Sequence, residues 1–232
     1  MTDPTLAALD SVRDPELDTS IVELGFVSAC TVDAGGTARV RLRLPTFFCA
    51  PNFAFLIVAD AYDAVVRVDG VVAVDIVLED HFAADAINAG VAARAGFVAS
   101  FDGLAEQELD ELRRDFLRKA MLAAQDRVVR PLLAAGRHPD ELGALTLGDV
   151  PASAERDRLR ARRVELGIPA QDDDPLLVHV DGSKVDRGEV PVHLHRSRTV
   201  RVSIDANGEY CRQLLRERYG LSGTAAVSVR SP

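Results

Sequence analysis

The alternation of apolar and charged residues between Ala38 and Leu44 constrains the fold more than any other feature of the chain. A valine and two leucines there alternate with three arginines, and a period of two predicts a strand with one buried and one solvated face. A further strand is predicted for residues 25–32, and the Asp-Ala-Gly-Gly sequence of residues 33–36 between them is a turn signal. These two strands are therefore predicted to pair as an antiparallel hairpin.

The residues after the hairpin predict a helix and then a third strand. Apolar side chains at Phe53, Ile57, Ala61 and Val65 fall on one stripe of a helix. Alternation then returns over residues 72–78. A strand, a helix and a strand in this order imply a right-handed crossover with two parallel strands. The predicted fold class is α/β in the broad sense that includes α+β: a small mixed sheet with a β-hairpin and a β-α-β crossover.

The length of 232 residues, 47% of them hydrophobic, allows one large domain or two smaller ones. We predict a first domain over residues 1–100 and an extension over residues 101–232 that is first helical and then α/β. The helical part is an amphipathic segment from Leu109 to Val128. The α/β part is a hairpin of strands 176–180 and 190–194, followed by a strand, a turn and a C-terminal helix.

Charge and composition exclude several classes of partner. Residues 1–100 carry 14 acidic and 6 basic side chains, a net charge of −8 within a total of −9, which disfavours binding to nucleic acid. The longest apolar run, Phe53–Ala59, is too short to span a membrane, and no secretory signal is visible. Three cysteines without paired spacing fit a reducing compartment. We therefore expect a cytoplasmic protein with no nucleic-acid or membrane partner.

Cys49 lies in the most promising loop of the predicted fold. The loop of residues 45–50 joins the end of a strand to the start of a helix, where ligands commonly bind in open α/β sheets. Free N–H groups and the helix dipole favour a reactive sulfur at that position. Alternatively, Cys49 between Phe48 and Ala50 is a small hydrophobic residue that only packs.

Several short motifs occur in an order that resembles a known family. They are Asp-Pro-Glu-Leu at residues 14–17, Ile-Val-Glu-Leu-Gly-Phe-Val at 21–27, Thr-x-x-Cys at 46–49, and the strand region 68–78. Over about residues 5–80 the chain resembles the small-domain family of iron-sulfur cluster assembly proteins that includes SufT and PaaD. The resemblance implies a functional cluster made of Asp14, Glu16, Leu17, Thr46 and Cys49. Glu23 and Gly25 match a further family stretch, I-x-[DE]-L-G.

The chain departs from the family pattern around the cysteine. Family members usually have Cys-Pro, whereas this chain has Cys49-Ala50-Pro51, which moves the predicted start of the helix. Phe47 and Phe48 are bulkier than the small residues common before that cysteine. They predict a narrower mouth for the site.

A thiolate, two carboxylates and a hydroxyl form a reasonable ligand set for iron, but a stable iron-sulfur cluster needs about four thiolates. Cys30 alternates with core positions of a predicted strand, and Cys211 falls in a late helical stretch where packing is the simpler interpretation. Iron or a cluster is therefore expected to bind transiently, shared across a homodimer or with a client protein.

The resemblance implies an accessory factor, not an enzyme, that matures iron centres. Its partners are then a client iron-dependent enzyme or other assembly factors, and relatives encoded beside multicomponent oxygenases point to an iron oxygenase as client. Two alternatives stay open. The protein is a non-catalytic adaptor or scaffold, or it is a thiol-dependent hydrolase or transferase, although no histidine base occurs in residues 1–80.

A second candidate metal site lies in the extension. In the predicted hairpin, His193 and His195 share a face and His179 lies across from them, which suggests a partial metal site. The alternative is that these histidines are surface or hydrogen-bonded residues.

Overall fold

The computed structural model describes residues 3–101, 103 and 105–221, and the backbone of Ser228 and Val229. The chain divides into two compact units: Met1–Asp110 together with Asn207–Pro232, and Glu111–Ala206. The sequence predicted a single boundary near residue 100. It did not anticipate that residues from Asn207 onward group with the N-terminal part of the chain.

The first unit is built on a four-stranded mixed sheet. Its strands are β3 (Val27–Val32), β4 (Thr37–Arg43), β5 (Ala73–Glu79) and β6 (Ser228–Val229), in the order β5-β4-β3-β6. The β3–β4 pair is antiparallel, and β4 and β5 run parallel in register along their whole length. The predicted hairpin, crossover and α+β class are confirmed. Two short strands, β1 (Arg13–Asp14) and β2 (Thr19–Ser20), form a separate antiparallel pair.

Helices cover this sheet. They are α1 (Pro4–Ser11), α2 (Pro51–Val65), α3 (Ala84–Ala92) and α4 (Phe97–Ser100). The α1 helix begins as its sequence predicts, with Asp3 accepting a hydrogen bond from the Thr5 N–H at 2.8 Å. Alternate strand residues and one face of α2 meet in a single core that includes Phe26, Leu42 and Ile57.

The second unit is helical. It contains α6 (Pro139–Leu142), α7 (Ala154–Leu166) and the first part of α8 (Val190–Tyr219). It also contains all of α5 (Asp110–Ala134) except the first residue, Asp110. Arg163 of α7 is fully buried and donates to the carbonyls of Pro175 and Leu176 at 2.8 and 2.6 Å. Burial lowers the pKa of Arg163 to about 10, so the guanidinium stays charged at neutral pH and ties a loop to α7.

Helix α8 corrects the predicted structure of the extension. Residues 190–194 and the segment after Arg198 are helical, not strands, and residues 176–180 form only an isolated bridge, Val178 to Lys184. Apart from β6, which joins the first unit's sheet, the described residues of the extension form helices and isolated bridges. The extension is therefore helical, not α/β.

The buried positions of α8 explain the error. They are spaced three, four or seven residues apart, as on one helix face, and are Val190, His193, Ser197, Ile204, Gly208 and Leu215. Half of these residues are polar or glycine, so the apolar pattern that would reveal a helix is absent. The turn signal Asn207-Gly208 is overridden by the continuous helix.

Within the described part of the chain, no helix combines the length and the apolar character needed to cross a membrane.

Candidate functional site

Two loops meet at one edge of the sheet, where the parallel strands β4 and β5 end. The first loop carries Thr46 and Cys49 and leads into α2; the second carries His81 and Phe82. The Phe82 N–H donates to the Phe47 carbonyl at 3.0 Å. Because parallel strands end at the same edge, the crossover brings these loops together as the sequence predicts.

Cys49 is half-buried and lies just before the start of α2. The helix begins at Pro51, two residues after the cysteine, and Ala50 is its N-cap without a side-chain hydrogen bond. The Thr46 hydroxyl lies 3.2 Å from the Cys49 sulfur. The sulfur is thus held by a neighbouring hydroxyl while part of the side chain remains accessible.

His81 positions the backbone of this cysteine. Its Nδ1 accepts from the Ala83 N–H at 3.2 Å, so its Nε2–H donates to the Cys49 carbonyl oxygen, 2.7 Å away. His81 is buried, and burial lowers its pKa, which keeps the ring neutral at neutral pH. Sequence reasoning missed this role. The signal available in the sequence was the position of this histidine, two residues after the strand that is predicted to run parallel to β4.

The acidic loop between β1 and β2 is closed by Asp14. Its Oδ1 accepts from the backbone N–H groups of Glu16 and Leu17, both at 2.9 Å, and the Leu17 side chain is buried in the core. Burial raises the pKa of Asp14 to about 6, although both hydrogen bonds act in the opposite direction. Asp14 and Leu17 shape the loop, and Glu16 remains partly exposed.

Cys211, which the sequence assigned to packing, lies near the end of α8 and packs against the core of the first unit. The pKa of Cys211 is raised to about 11 by burial and then by Asp14, Cys49 and Glu16. Glu23 lies on an exposed turn before β3, and no described contact joins it to Cys49.

The described residues contain no group of three or more His, Cys, Asp or Glu side chains arranged to hold a metal ion. Cys30 is fully buried, and burial raises its pKa to about 11, which confirms its predicted place in the core.

The three histidines of the extension are only partly brought together. The rings of His179 and His193 lie 5.6 Å apart, and His179 Nε2 is 3.3 Å from a Glu189 carboxylate oxygen. Burial, followed by the charge of His179, lowers the pKa of His193 to about 4. His195 is exposed, two residues further along α8. The predicted strand hairpin that would align all three is wrong, and the structure pairs two of them.

An exposed aromatic patch, defined here as Phe47, Phe48 and Phe82, lies on the two loops. Their side chains are 47%, 74% and 54% exposed. The Phe47 ring centroid is 6.4 Å from that of Phe48 and 6.3 Å from that of Phe82. Large exposed aromatic side chains side by side are typical of contact surfaces. The bulky residues before Cys49 are thus exposed on the loop.

Comparison with known proteins gives one match. Residues 4–76 match the family model described as iron-sulfur cluster assembly protein, a range that includes the acidic loop, the hairpin, the Cys49 loop and α2. No curated protein and no solved structure shows a significant match. The match does not cover the remainder of the chain. The N-terminal part of this protein is therefore a domain of the iron-sulfur cluster assembly family.

Proposed function

We propose that this protein is an accessory factor that assembles or matures iron-sulfur or other iron centres in client proteins, through a site centred on Cys49. The observation that carries the proposal is the position of Cys49 inside the matched domain. Its half-buried sulfur lies between a strand end and a helix start, beside the Thr46 hydroxyl. Thiolates are the preferred protein ligands of iron-sulfur clusters.

The incomplete ligand set favours delivery over storage. In this proposal iron or a cluster is the cargo, held by Cys49 and by ligands that a client, another assembly factor or a second copy supplies. A full set of about four thiolates would retain a cluster. A partial set allows the client to complete the coordination and take the cargo.

The geometry disfavours the thiol-dependent hydrolase or transferase. A thiol nucleophile needs a base within hydrogen-bonding distance of its sulfur. His81 is the one histidine in the sequence of the first unit, and both its ring nitrogens are engaged, with the Cys49 carbonyl and the Ala83 N–H. It holds the backbone of the loop and does not activate the sulfur.

One observation favours an adaptor as the second candidate. The aromatic patch is apolar, exposed and adjacent to the Thr46-x-x-Cys49 loop. It can therefore dock a protein whether or not metal is transferred. A client contact through this patch is compatible with both functions. Dependence on the Cys49 sulfur separates them.

The finer assignment is a SufT- or PaaD-like factor that works in the cytoplasm on an iron oxygenase. It rests on the order of the motifs in residues 5–80 and on the acidic composition of the chain. Genes for a multicomponent oxygenase beside the gene for this protein would support that client. Consistent placement beside unrelated genes would argue for another one.

The test is replacement of the wild-type gene by Cys49→Ser, which retains the size of the side chain and removes the soft ligand. We expect normal levels of folded protein with loss of iron content and activity in the client enzyme. Cys30→Ala is the matched control, because it removes a thiol from the core and leaves the loop intact. Full client activity with Cys49→Ser would refute metal delivery and favour the adaptor.

A further inference from the structure

The last turn of α8 binds the strand ends from which the two loops of the candidate site begin. Arg218 donates to the Leu44 carbonyl at 3.1 Å and to the Asp80 carbonyl at 2.6 Å. Leu44 directly follows β4 and leads into the loop of Cys49, and Asp80 directly follows β5 and leads into the loop of His81. One guanidinium therefore joins the first residues of both loops.

The same helix turn also holds the side chain of Asp80. The Arg218 guanidinium lies 2.9 Å from the Asp80 carboxylate, and the Tyr219 hydroxyl donates to that carboxylate at 3.3 Å. The Tyr219 ring is held in turn by Arg43, the last residue of β4, whose guanidinium carbon lies 5.0 Å from the ring centroid. Asp80 is thus bound through both its backbone and its side chain.

These contacts maintain an unusual backbone conformation at Asp80. Its φ is +57°, in the left-handed region that residues other than glycine seldom adopt and that persists where the surrounding structure holds it. The next residue, His81, donates from Nε2 to the Cys49 carbonyl at 2.7 Å, and the Phe82 N–H donates to the Phe47 carbonyl at 3.0 Å. A continuous series of contacts therefore runs from the end of α8 to the backbone of the cysteine.

We propose that Arg218 and Tyr219 are positioning residues of the Cys49 site, which act by holding Asp80 and so fix the spacing of the two loops. The biological meaning of this role rests on the proposed function, since the cargo is to be bound at Cys49. The family match ends at residue 76, so Asp80, His81 and both positioning residues lie outside the matched range. The end of α8 thus supports a site whose cysteine belongs to the matched domain.

The direct test is amide hydrogen exchange at Phe82 in the full-length protein, because this N–H joins the two loops. Arg218→Ala should speed that exchange about tenfold or more, since hydrogen bonds from a charged donor are lost. Arg218→Lys keeps the charge without the fork of donors and should restore part of the protection. Exchange at Val40, in the centre of the sheet, should stay as in the wild type.

Arg212→Ala is the matched control for this measurement, because that guanidinium bonds to Glu209 within α8. It should leave exchange at Phe82 unchanged. Wild-type exchange at Phe82 in Arg218→Ala, or an equal acceleration at Val40, would overturn the proposal.

A spectroscopic readout separates positioning from general support of the fold. The Nε2 proton of His81 is held by the Cys49 carbonyl, so it should exchange slowly with water and be visible in a ¹⁵N-edited NMR spectrum at neutral pH. Tyr219→Phe removes one hydroxyl and keeps the ring, so this variant should fold even if Arg218→Ala does not. It should speed exchange of that proton in the same direction as Arg218→Lys. Wild-type exchange of the proton in both variants would contradict the positioning role.

Cells carrying each variant distinguish the two proposals. Loss of client iron with Cys49→Ser and a partial loss with Arg218→Ala, at normal levels of folded protein, support both. Loss with Cys49→Ser and wild-type client iron with Arg218→Ala overturn the positioning role and leave the proposed function standing. Full client activity with Cys49→Ser refutes the proposed function, while the exchange measurements still decide whether the end of α8 fixes the two loops.

Discussion

Replacing Asp14 by Asn should stabilise the protein at neutral pH, against the usual effect of changing a residue beside a functional site. The Asp14 carboxyl is 9% exposed and its pKa is raised from 3.8 to about 6. The fold therefore favours its protonated form. An asparagine retains an oxygen for the N–H groups of Glu16 and Leu17 and cannot ionise.

The magnitude follows from the pKa shift. A raised pKa contributes stability that is fully present below pH 3.8 and is lost as pH rises through about 6. The difference of about 2 pK units corresponds to about 3 kcal/mol at pH 7. The advantage of Asp14→Asn should fall to about 1.5 kcal/mol at pH 5 and to nearly zero at pH 3. These values are upper limits, because the new amide N–H₂ also needs partners.

The assay is urea unfolding of the wild type and Asp14→Asn between pH 3 and pH 8, with the Asp14 titration followed by carboxyl ¹³C chemical shift. Asp33→Asn is the matched control. Asp33 also accepts from two backbone N–H groups, of Gly35 and Thr37 at 3.0 Å, but its side chain is 39% exposed, and those bonds and Arg39 lower its pKa. The control should therefore be neutral or slightly destabilised at pH 7.

Two results would refute this reasoning. One is an Asp14 carboxyl that titrates near 3.8 in the folded protein. The other is an equal free energy of unfolding for the wild type and Asp14→Asn at pH 7.

Three further predictions concern other groups. Cys49 should be alkylated by iodoacetamide at pH 7 faster than Cys30 or Cys211, whose pKa values burial raises to about 11; peptide mass spectrometry ranks the three, and equal rates would contradict the partial exposure of Cys49. Arg218→Ala should speed alkylation of Cys211, because three contacts that anchor α8 are lost, whereas Arg218→Lys should act more weakly; unchanged labelling would contradict the anchoring. The pKa of His193 is lowered from 6.5 to about 4, so its contribution to stability is intact above pH 6.5 and is lost as pH falls through 4; the loss is about 2 kcal/mol at pH 5. In urea unfolding, His193→Asn should therefore show a weaker dependence of stability on pH than the wild type. The control His195→Asn, which changes an exposed residue, should keep the wild-type dependence.

The first unit could be predicted because its local signals agree with its packing. The arginines of β4 are exposed or half-buried, whereas Val40 and Leu42 are buried. The alternation of apolar and charged residues therefore predicted the burial pattern of the strand correctly. The Asp3-Pro4 cap likewise predicted the start of α1, whereas the displaced proline left the exact start of α2, which is Pro51, to the structure. The position of Cys49 at the sheet edge followed from the order of elements alone.

The remainder depends on contacts that no local pattern encodes. Helix α8 places His193, Ser197 and Gly208 at buried positions, so hydrophobicity did not reveal its period. Cys211 packs against the core of the first unit from a part of the sequence far from that unit's other elements. His81 acts by a hydrogen bond to a backbone carbonyl. Every residue has such a carbonyl, so the sequence does not indicate which one the histidine binds.

The burial of Leu215 has a consequence for how the domain can be isolated. A fragment cut near residue 100, where the sequence suggests a boundary, would lack the leucine that the intact core encloses almost completely. Losing one buried leucine side chain exposes apolar surface worth about 1.5–3 kcal/mol, and the cut also removes both partners of Asp80 from α8. A fragment that ends near residue 100 is therefore expected to be less stable than the intact first unit. Residues 207–219, supplied as a fused segment or as a separate peptide, should restore part of that stability.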